Sequence, residues 1–320
     1  MDLGFGALTT VQGRGVLPED DPRCLGAFQL DYEPLFATCD ALLVAGSRLR
    51  SNETLGYRLR LPRPLYRIDA EPARAAHPYE ADVFVAGDAR LALSALADRL
   101  AAIEIDPAFA ADLRRAREAA EAKARAALGP YAALVDTLQA LAGREFNWVR
   151  DVTISNSTWG NRLLRIFDPR AGVHALGGGI GLGLAMAIGA AVGSAGRKTL
   201  CLVGDGGLQL SLGELATLVQ EKADVLVVLM NDRGYGVIRN IWDAHYGGRR
   251  AYTDLHTPDF AGLAGSLSLP YRRIDSSAQF EPVLREAFRQ RGPLLVEVDM
   301  TRVGAYAATF AGPPVRKAAP

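Results

Sequence analysis

Two apolar runs of strand length, separated by one helix, limit what the second half of this chain can become. Thr199–Val203 runs into Gly204-Asp205-Gly206-Gly207, and Val225–Met230 runs into Asn231-Asp232-Arg233-Gly234-Tyr235-Gly236. Runs this short and this continuously apolar suit strands buried on both faces, as in parallel sheets. Between them Ser211 and Glu214 form an S-x-x-E capping signature, and Leu212, Leu215, Ala216, Leu218 and Val219 supply the apolar face of a helix ending near Lys222. A strand–helix–strand unit crosses over right-handed and leaves its strands parallel. Neighbouring strands lie about 4.8 Å apart. Asp205 and Asp232, each just past the carboxyl end of its strand, are therefore expected to converge.

Two carboxylates and turn carbonyls at one point suit a hard divalent cation such as Mg²⁺, which takes about six oxygens and commonly shares them with phosphates and water. The N–H groups of Gly206 and Gly207, and those of the loop before the Gly177–Gly183 helix, are candidate phosphate donors. Taken alone, Asp205 reads better as a helix cap and Asn231-Asp232 better as a turn. Their joint placement on one βαβ unit favours the metal. A phosphoryl-transfer enzyme that uses Asp205 stays open at this level.

The remaining sequence repeats the alternation. Ala41–Gly46, Leu65–Asp69 and Asp82–Asp88 read as short buried strands, Leu91–Leu100 as a helix, residues 107–142 as a solvated helical connector, and Tyr271–Ile274 and Leu294–Val298 as further strands. The class is α/β with doubly wound parallel sheets in two domains, divided as 1–100, a connector 101–145, and 146–320. Residues 175–196 carry no charge and reach spanning length, but eight of the twenty-two are glycine. The pairs Gly177/Gly181 and Gly189/Gly193 suit either membrane packing or close approach in a core. Polar, periodic sequence on both sides favours a loop followed by a buried helix. With 36 basic residues against 36 acidic ones, no electrostatic reason points to nucleic acid or a membrane surface. Cys24, Cys39 and Cys201 are odd in number and far apart, and the first residues lack a signal-peptide pattern, so the cytoplasm is the expected location.

Gly204-Asp205-Gly206, twenty-four residues, then Asn231-Asp232-Arg233-Gly234-Tyr235-Gly236 resembles the thiamine-diphosphate motif of the superfamily of acetolactate synthase, benzoylformate decarboxylase and pyruvate decarboxylase. The likeness covers nearly the whole chain: residues 1–100 resemble an incomplete, Rossmann-like central domain and residues from about 146 the diphosphate-binding domain. It implies Mg²⁺ ligation by Asp205, Asp232 and the Gly234 carbonyl, with Tyr235 and Gly236 in the same motif. It also implies a diphosphate cradle at Gly206 and Gly207. Asp232 stands where most members carry Asn. Ala175–Gly181 resembles the stretch whose one large apolar residue, here Ile180, props the cofactor into a bent form, with Gly177 and Gly178 beside its pyrimidine. Ser157-Thr158-Trp159-Gly160 resembles a loop that touches the diphosphate, which makes Thr158 and Trp159 cofactor-binding candidates. His174 falls on the substrate side, as a proton shuttle, a carboxylate partner or a structural hydrogen bond. His77, His245 and His256 are expected at the surface. Tyr306 and Phe310 line a pocket or simply pack.

The resemblance implies a thiamine-diphosphate-dependent lyase or transferase that decarboxylates 2-oxo acids, joins them to a second carbonyl, or does both. In that superfamily the activating glutamate comes from a pyrimidine-binding domain, and nothing in this sequence corresponds to it. The central domain also lacks its opening strands, which leaves three parallel strands with Ala7–Thr10 as an edge and exposes apolar surface. A homo-oligomer or a separate chain carrying the pyrimidine domain is the expected partner. The other reading is a cofactor-binding chain that is catalytically incomplete. Decarboxylase and carboligase share every residue named here, and no motif speaks for flavin.

Overall fold

The computed structural model describes residues 4–100, 105–194 and 196–312. They divide into two compact units. The first comprises residues 4–10 and the described part of 21–120; the second comprises 11–20 and 121–312.

In the first unit β1 (Ala7–Thr9) pairs in parallel with β2 (Cys24–Ala27), followed by the short helix α1 (Glu33–Phe36). Then β3 (Leu42–Ala45), β4 (Leu65–Asp69) and β5 (Val83–Ala86) form a three-stranded parallel sheet in that order. Two helices, α2 (Ala89–Leu100) and α3 (Pro107–Ala126), come next. Ala7–Thr10 was expected to extend the three-stranded sheet. Instead it has its own partner, β2, which sequence patterning missed: the strand is four residues long, contains Gly26 at φ +71°, and shifts register against β1. Val83 and Val85 on β5, Leu43 on β3 and Leu91 on α2 are each 42–60% exposed, so this small sheet leaves apolar surface uncovered.

The second unit is built on a six-stranded parallel sheet. Its elements are α4 (Tyr131–Ala142), β6 (Phe146–Arg150), β7 (Gly172–His174), α5 (Gly183–Gly193), β8 (Lys198–Gly204), α6 (Asp205–Gln209), α7 (Glu214–Gln220), β9 (Val225–Asn231), α8 (Gly236–His245), α9 (Phe260–Ser266), β10 (Tyr271–Ile274), α10 (Phe280–Arg289), β11 (Leu294–Asp299) and α11 (Met300–Val303). Strand order is β10-β11-β9-β8-β6-β7. Alternate residues of β8 and β9 feed opposite faces. Leu200, Leu202, Leu226, Val228 and Met230 join one core with α4 and α10; Cys201, Val203, Val225, Val227 and Leu229 join the other with α5, α7 and α9. Helices on both sides of a parallel sheet are the doubly wound arrangement.

Three local expectations need correction. The S-x-x-E box does not form: Gly213 occupies the cap position of α7 without a side-chain bond, while the Ser211 hydroxyl turns back to the Leu208 carbonyl. The helix after the glycine stretch is buried on one face only, with Leu184, Ala187 and Ile188 inside and Val192 60% exposed. Gly189 and Gly193 have nothing within 4 Å of a Cβ position, so neither is a close-approach site. Among the described residues no helix is long and apolar enough to cross a membrane.

Candidate functional site

β8 and β9 are neighbours with Gly204 opposite Met230, so Asp205 and Asp232 leave the sheet side by side at its carboxyl edge. The two carboxyl groups lie within hydrogen-bonding reach of each other. Asp205 is 1% exposed, and burial together with the Asp232 charge pushes its carboxyl well above the usual range. Burial pushes Asp232 up as well, against the Arg239 guanidinium, which bonds its Oδ2 at 2.9 Å and its carbonyl at 2.7 Å. Without a cation, two carboxyl groups this close tend to share a proton.

The loop after β9 is held from several directions. Gly234 N–H donates to Asp205 Oδ2 at 2.8 Å, Tyr235 N–H donates to the Thr253 carbonyl at 2.8 Å, and Leu255 N–H donates to the Arg233 carbonyl at 3.2 Å. Arg233 takes a left-handed φ of +57° within it. Gly206 is closed over by the Tyr235 ring: a Cβ there would meet that ring at 2.5 Å. A Cβ at Gly207 would meet Asp151 Oδ2 at 2.6 Å, and one at Gly236 would collide with Asp232. The first N–H groups of α6, among them those of Gly206 and Gly207, have no intrahelical partner.

The Gly-rich stretch before α5 is a short 3₁₀ turn, with Gly177 and Gly178 at φ +79° and +80°, backbone that L side chains rarely adopt. Nothing stands within 4 Å of a Cβ on either, so both face open space. Ile180 is half-buried beside them. The N–H groups of this loop were expected to serve phosphates, but that of Gly181 is already taken: it donates to Asp151 at 2.9 Å. Asp151 itself, 1% exposed, was absent from the sequence reading. The only signal for it is an acid placed just past a strand.

His174 closes β7, and its Nδ1–H donates to the Arg150 carbonyl at 3.1 Å, since a carbonyl oxygen only accepts. The Thr158 hydroxyl donates to the Ile154 and Ser155 carbonyls in its own turn. Trp159 is fully buried, stacked on Trp148 at 5.8 Å, with its indole N–H donating to the Tyr306 hydroxyl. Trp159 is therefore a core residue, its carbonyl taken by the Arg162 and Leu163 N–H groups. His77, His245 and His256 lie at the surface, as expected. A cleft of about 340 Å³ opens beside Asp232, lined by Ile154, Arg239, Met300, Thr301 and Tyr306.

Two carboxylates, a constrained loop and a row of N–H groups form a donor set of the kind hard cations and phosphates take together. Among the described residues no group of three or more His, Cys, Asp or Glu stands ready to hold a metal on side chains alone. Residues 153–298 match the family description "Thiamine pyrophosphate enzyme, C-terminal TPP binding domain", and residues 2–96 match "Thiamine pyrophosphate enzyme, central domain". The chain belongs to the thiamine-pyrophosphate enzyme family. It is 34% identical over 312 residues to "Probable 2-ketoarginine decarboxylase AruI" of Pseudomonas aeruginosa, which covers 92% of this chain and 54% of that protein. It is 26% identical over 317 residues to the acetolactate synthase isozyme 3 large subunit of Escherichia coli (93% and 55%). It is 25% identical over 309 residues to the acetolactate synthase large subunit of Porphyra purpurea (92% and 52%). The chain spans about half the length of these curated relatives.

Proposed function

We propose that this chain binds Mg²⁺–thiamine diphosphate at the ends of β8 and β9 and supplies the diphosphate half of a site that acts on 2-oxo acids. The observation that carries the reading is the pair Asp205 and Asp232, one buried and one half-buried carboxyl group within reach of each other beside glycines that a side chain would obstruct. Asp205, Asp232 and the Gly234 carbonyl would hold the metal, and the Gly206 and Gly207 N–H groups would hold phosphate oxygens. The Arg239–Asp232 ion pair offsets the extra charge of an aspartate at that position. When bound, thiamine diphosphate supplies the electron sink for cleavage next to a carbonyl. This chain's part is to anchor and orient: Tyr235 covers Gly206, Ile180 would prop the ring end, Gly177 and Gly178 leave space in front of the loop, and the Thr158 and Gly236 backbones would border the site. His174, bonded through Nδ1 to the Arg150 carbonyl at the end of β7, would stand on the substrate side for proton traffic or for a substrate carboxylate.

The relatives' names favour a decarboxylase or an acetolactate-forming carboligase, the lyase and transferase forms of one chemistry. The pyrimidine end would be met by a further segment, in a second copy or another chain. The exposed apolar residues around the glycine loop, Leu176 at 78%, Leu182 at 46% and Leu210 at 64%, offer such a segment a surface to cover. Three cysteines, odd in number and far apart in the sequence, suit a reducing compartment such as the cytoplasm. Isothermal titration with thiamine diphosphate and with nucleotides, each with Mg²⁺, tests the cofactor. Preference for a nucleotide overturns it in favour of phosphoryl transfer. A 2-oxo acid panel scored for CO₂ and acyloin, with and without a co-expressed pyrimidine-domain chain, tests the reaction. Full turnover by this chain alone would contradict the shared-site reading, and cofactor binding without turnover in either preparation would favour a catalytically incomplete chain.

A further inference from the structure

Asp151 stands where the two glycine-bearing segments of the site meet. It is the first residue beyond β6, and its carboxylate accepts the Gly181 N–H through both oxygens, at 2.9 and 3.2 Å, and the Val152 N–H at 2.8 Å. The N–H groups of Leu182 and Gly183 also face it. These are the donors that open α5, whose own cap residue contributes no side-chain bond, so an acceptor thirty residues upstream closes the helix start. On the other side the turn after β8 passes against the same carboxylate, as the 2.6 Å approach to a Cβ on Gly207 records.

The topology explains the position. From β6 the chain runs outward to β7 and returns to β8 on the opposite side of β6, so the crevice between β6 and β8 is the switch point of the sheet, where α/β proteins bind ligands. A carboxylate there opposes an anionic ligand unless its charge is taken up by other donors, and here backbone N–H groups take it up.

We propose that Asp151 is a positioning residue of the cofactor site: it ties the Gly177–Gly183 loop, and Ile180 with it, to the strand ends, in the shape that receives the thiamine ring. The inference rests on the thiamine-diphosphate reading above. The diphosphate, by contrast, would be held by the metal and the Gly206 and Gly207 N–H groups, so loss of Asp151 should separate the two ends of the ligand. The test is isothermal titration of the wild-type chain and Asp151→Asn with Mg²⁺–thiamine diphosphate and with Mg²⁺–pyrophosphate, together with hydrogen exchange of the 177–186 segment. The variant should lose roughly tenfold or more in thiamine diphosphate affinity while keeping pyrophosphate affinity within about twofold. Its 181–183 amides should exchange faster, with β8 and β9 unchanged. Equal loss of both ligands, or no loss of either, overturns the proposal. In the wild-type chain without ligand the 181–183 amides must already be protected; exchange at open-loop rates overturns the proposal without any variant. A wild-type chain that binds pyrophosphate and not thiamine diphosphate removes the cofactor reading, and the proposal falls with it.

Discussion

Gly183 and Gly189 lie on the same helix and should respond to alanine in opposite directions. A Cβ on Gly183 would stand 2.7 Å from Asp151 Cβ, 3.1 Å from Val203 Cγ1 and 3.2 Å from the Asp151 nitrogen. All three belong to the ends of β6 and β8, and none is the free end of a flexible side chain. Ordinary carbon contacts begin near 3.5 Å, so α5 must retreat from the sheet by several tenths of an ångström. That loosens the packing of Leu184, Ala187 and Ile188 and disturbs the Gly181 bond to Asp151. Overpacking of this kind costs about 1–3 kcal/mol, against a helix-propensity gain for alanine of at most about 1 kcal/mol. The expected net effect of Gly183→Ala is a loss of about 1–2 kcal/mol. At Gly189 nothing lies within 4 Å of the Cβ position, so only the propensity term remains and Gly189→Ala should stabilise by about 0.5–1 kcal/mol. Urea unfolding of the two variants beside the wild-type chain decides the matter, with the far-ultraviolet signal as the readout. If both variants shift the midpoint in the same direction by the same amount, the contact geometry assigned to the start of α5 is wrong.

Asp205→Asn keeps an acceptor for the Gly234 N–H and removes the charge facing Asp232. Its unliganded melting temperature should therefore not fall, while the rise produced by Mg²⁺–thiamine diphosphate, worth about 2.7 kcal/mol at a hundred times Kd, disappears; an undiminished rise refutes the ligand assignment. Arg150 is fully buried with Nε and Nη2 unbonded and Arg14 adding a like charge. Arg150→Met should accordingly stabilise the chain by about 1–3 kcal/mol in denaturant unfolding, and a clear loss would show that the guanidinium is better satisfied than its geometry suggests. At Asp224 burial pushes the carboxyl up, but hydrogen bonds from Lys198 at 2.8 Å and Arg291 at 2.9 Å prevail and hold it below its ordinary 3.8. Its contribution, roughly 1 kcal/mol, is present above that value and lost as pH falls through the lower folded one. Asp224→Asn should therefore cost that amount at pH 7 and converge with wild type in acid. A constant offset down to the lowest pH at which the chain stays folded would remove the charge pairing as the cause.

How much was legible follows from how far each signal reaches along the chain. The unbroken apolar runs located β8 and β9 to within a residue at each end, because a strand buried on both faces must be apolar throughout, and Leu215 and Leu218 marked the buried side of α7. β2 escaped because a four-residue strand with a glycine in the left-handed region has no alternation to read. The capping box at Ser211 and Glu214 matched in spacing and failed in structure. The turn that leaves α6 already uses the Ser211 carbonyl for the Glu214 N–H, and the cap position passes to Gly213.

The linear order of residues was enough to set where β8 and β9 end, which acids follow them, and that Asp205 and Asp232 would meet, since neighbouring parallel strands leave them little alternative. Tertiary structure alone decided which acceptor the Gly181 N–H finds, which glycine of α5 is pressed against the sheet, and that Trp148 and Trp159 both belong to the core. Periodicity is a property of residues two to four apart. The choice of hydrogen-bond partner is a competition among groups that only the crossover from β6 through β7 to β8 brings together, and Asp151 and Gly181, thirty residues apart, meet for that reason.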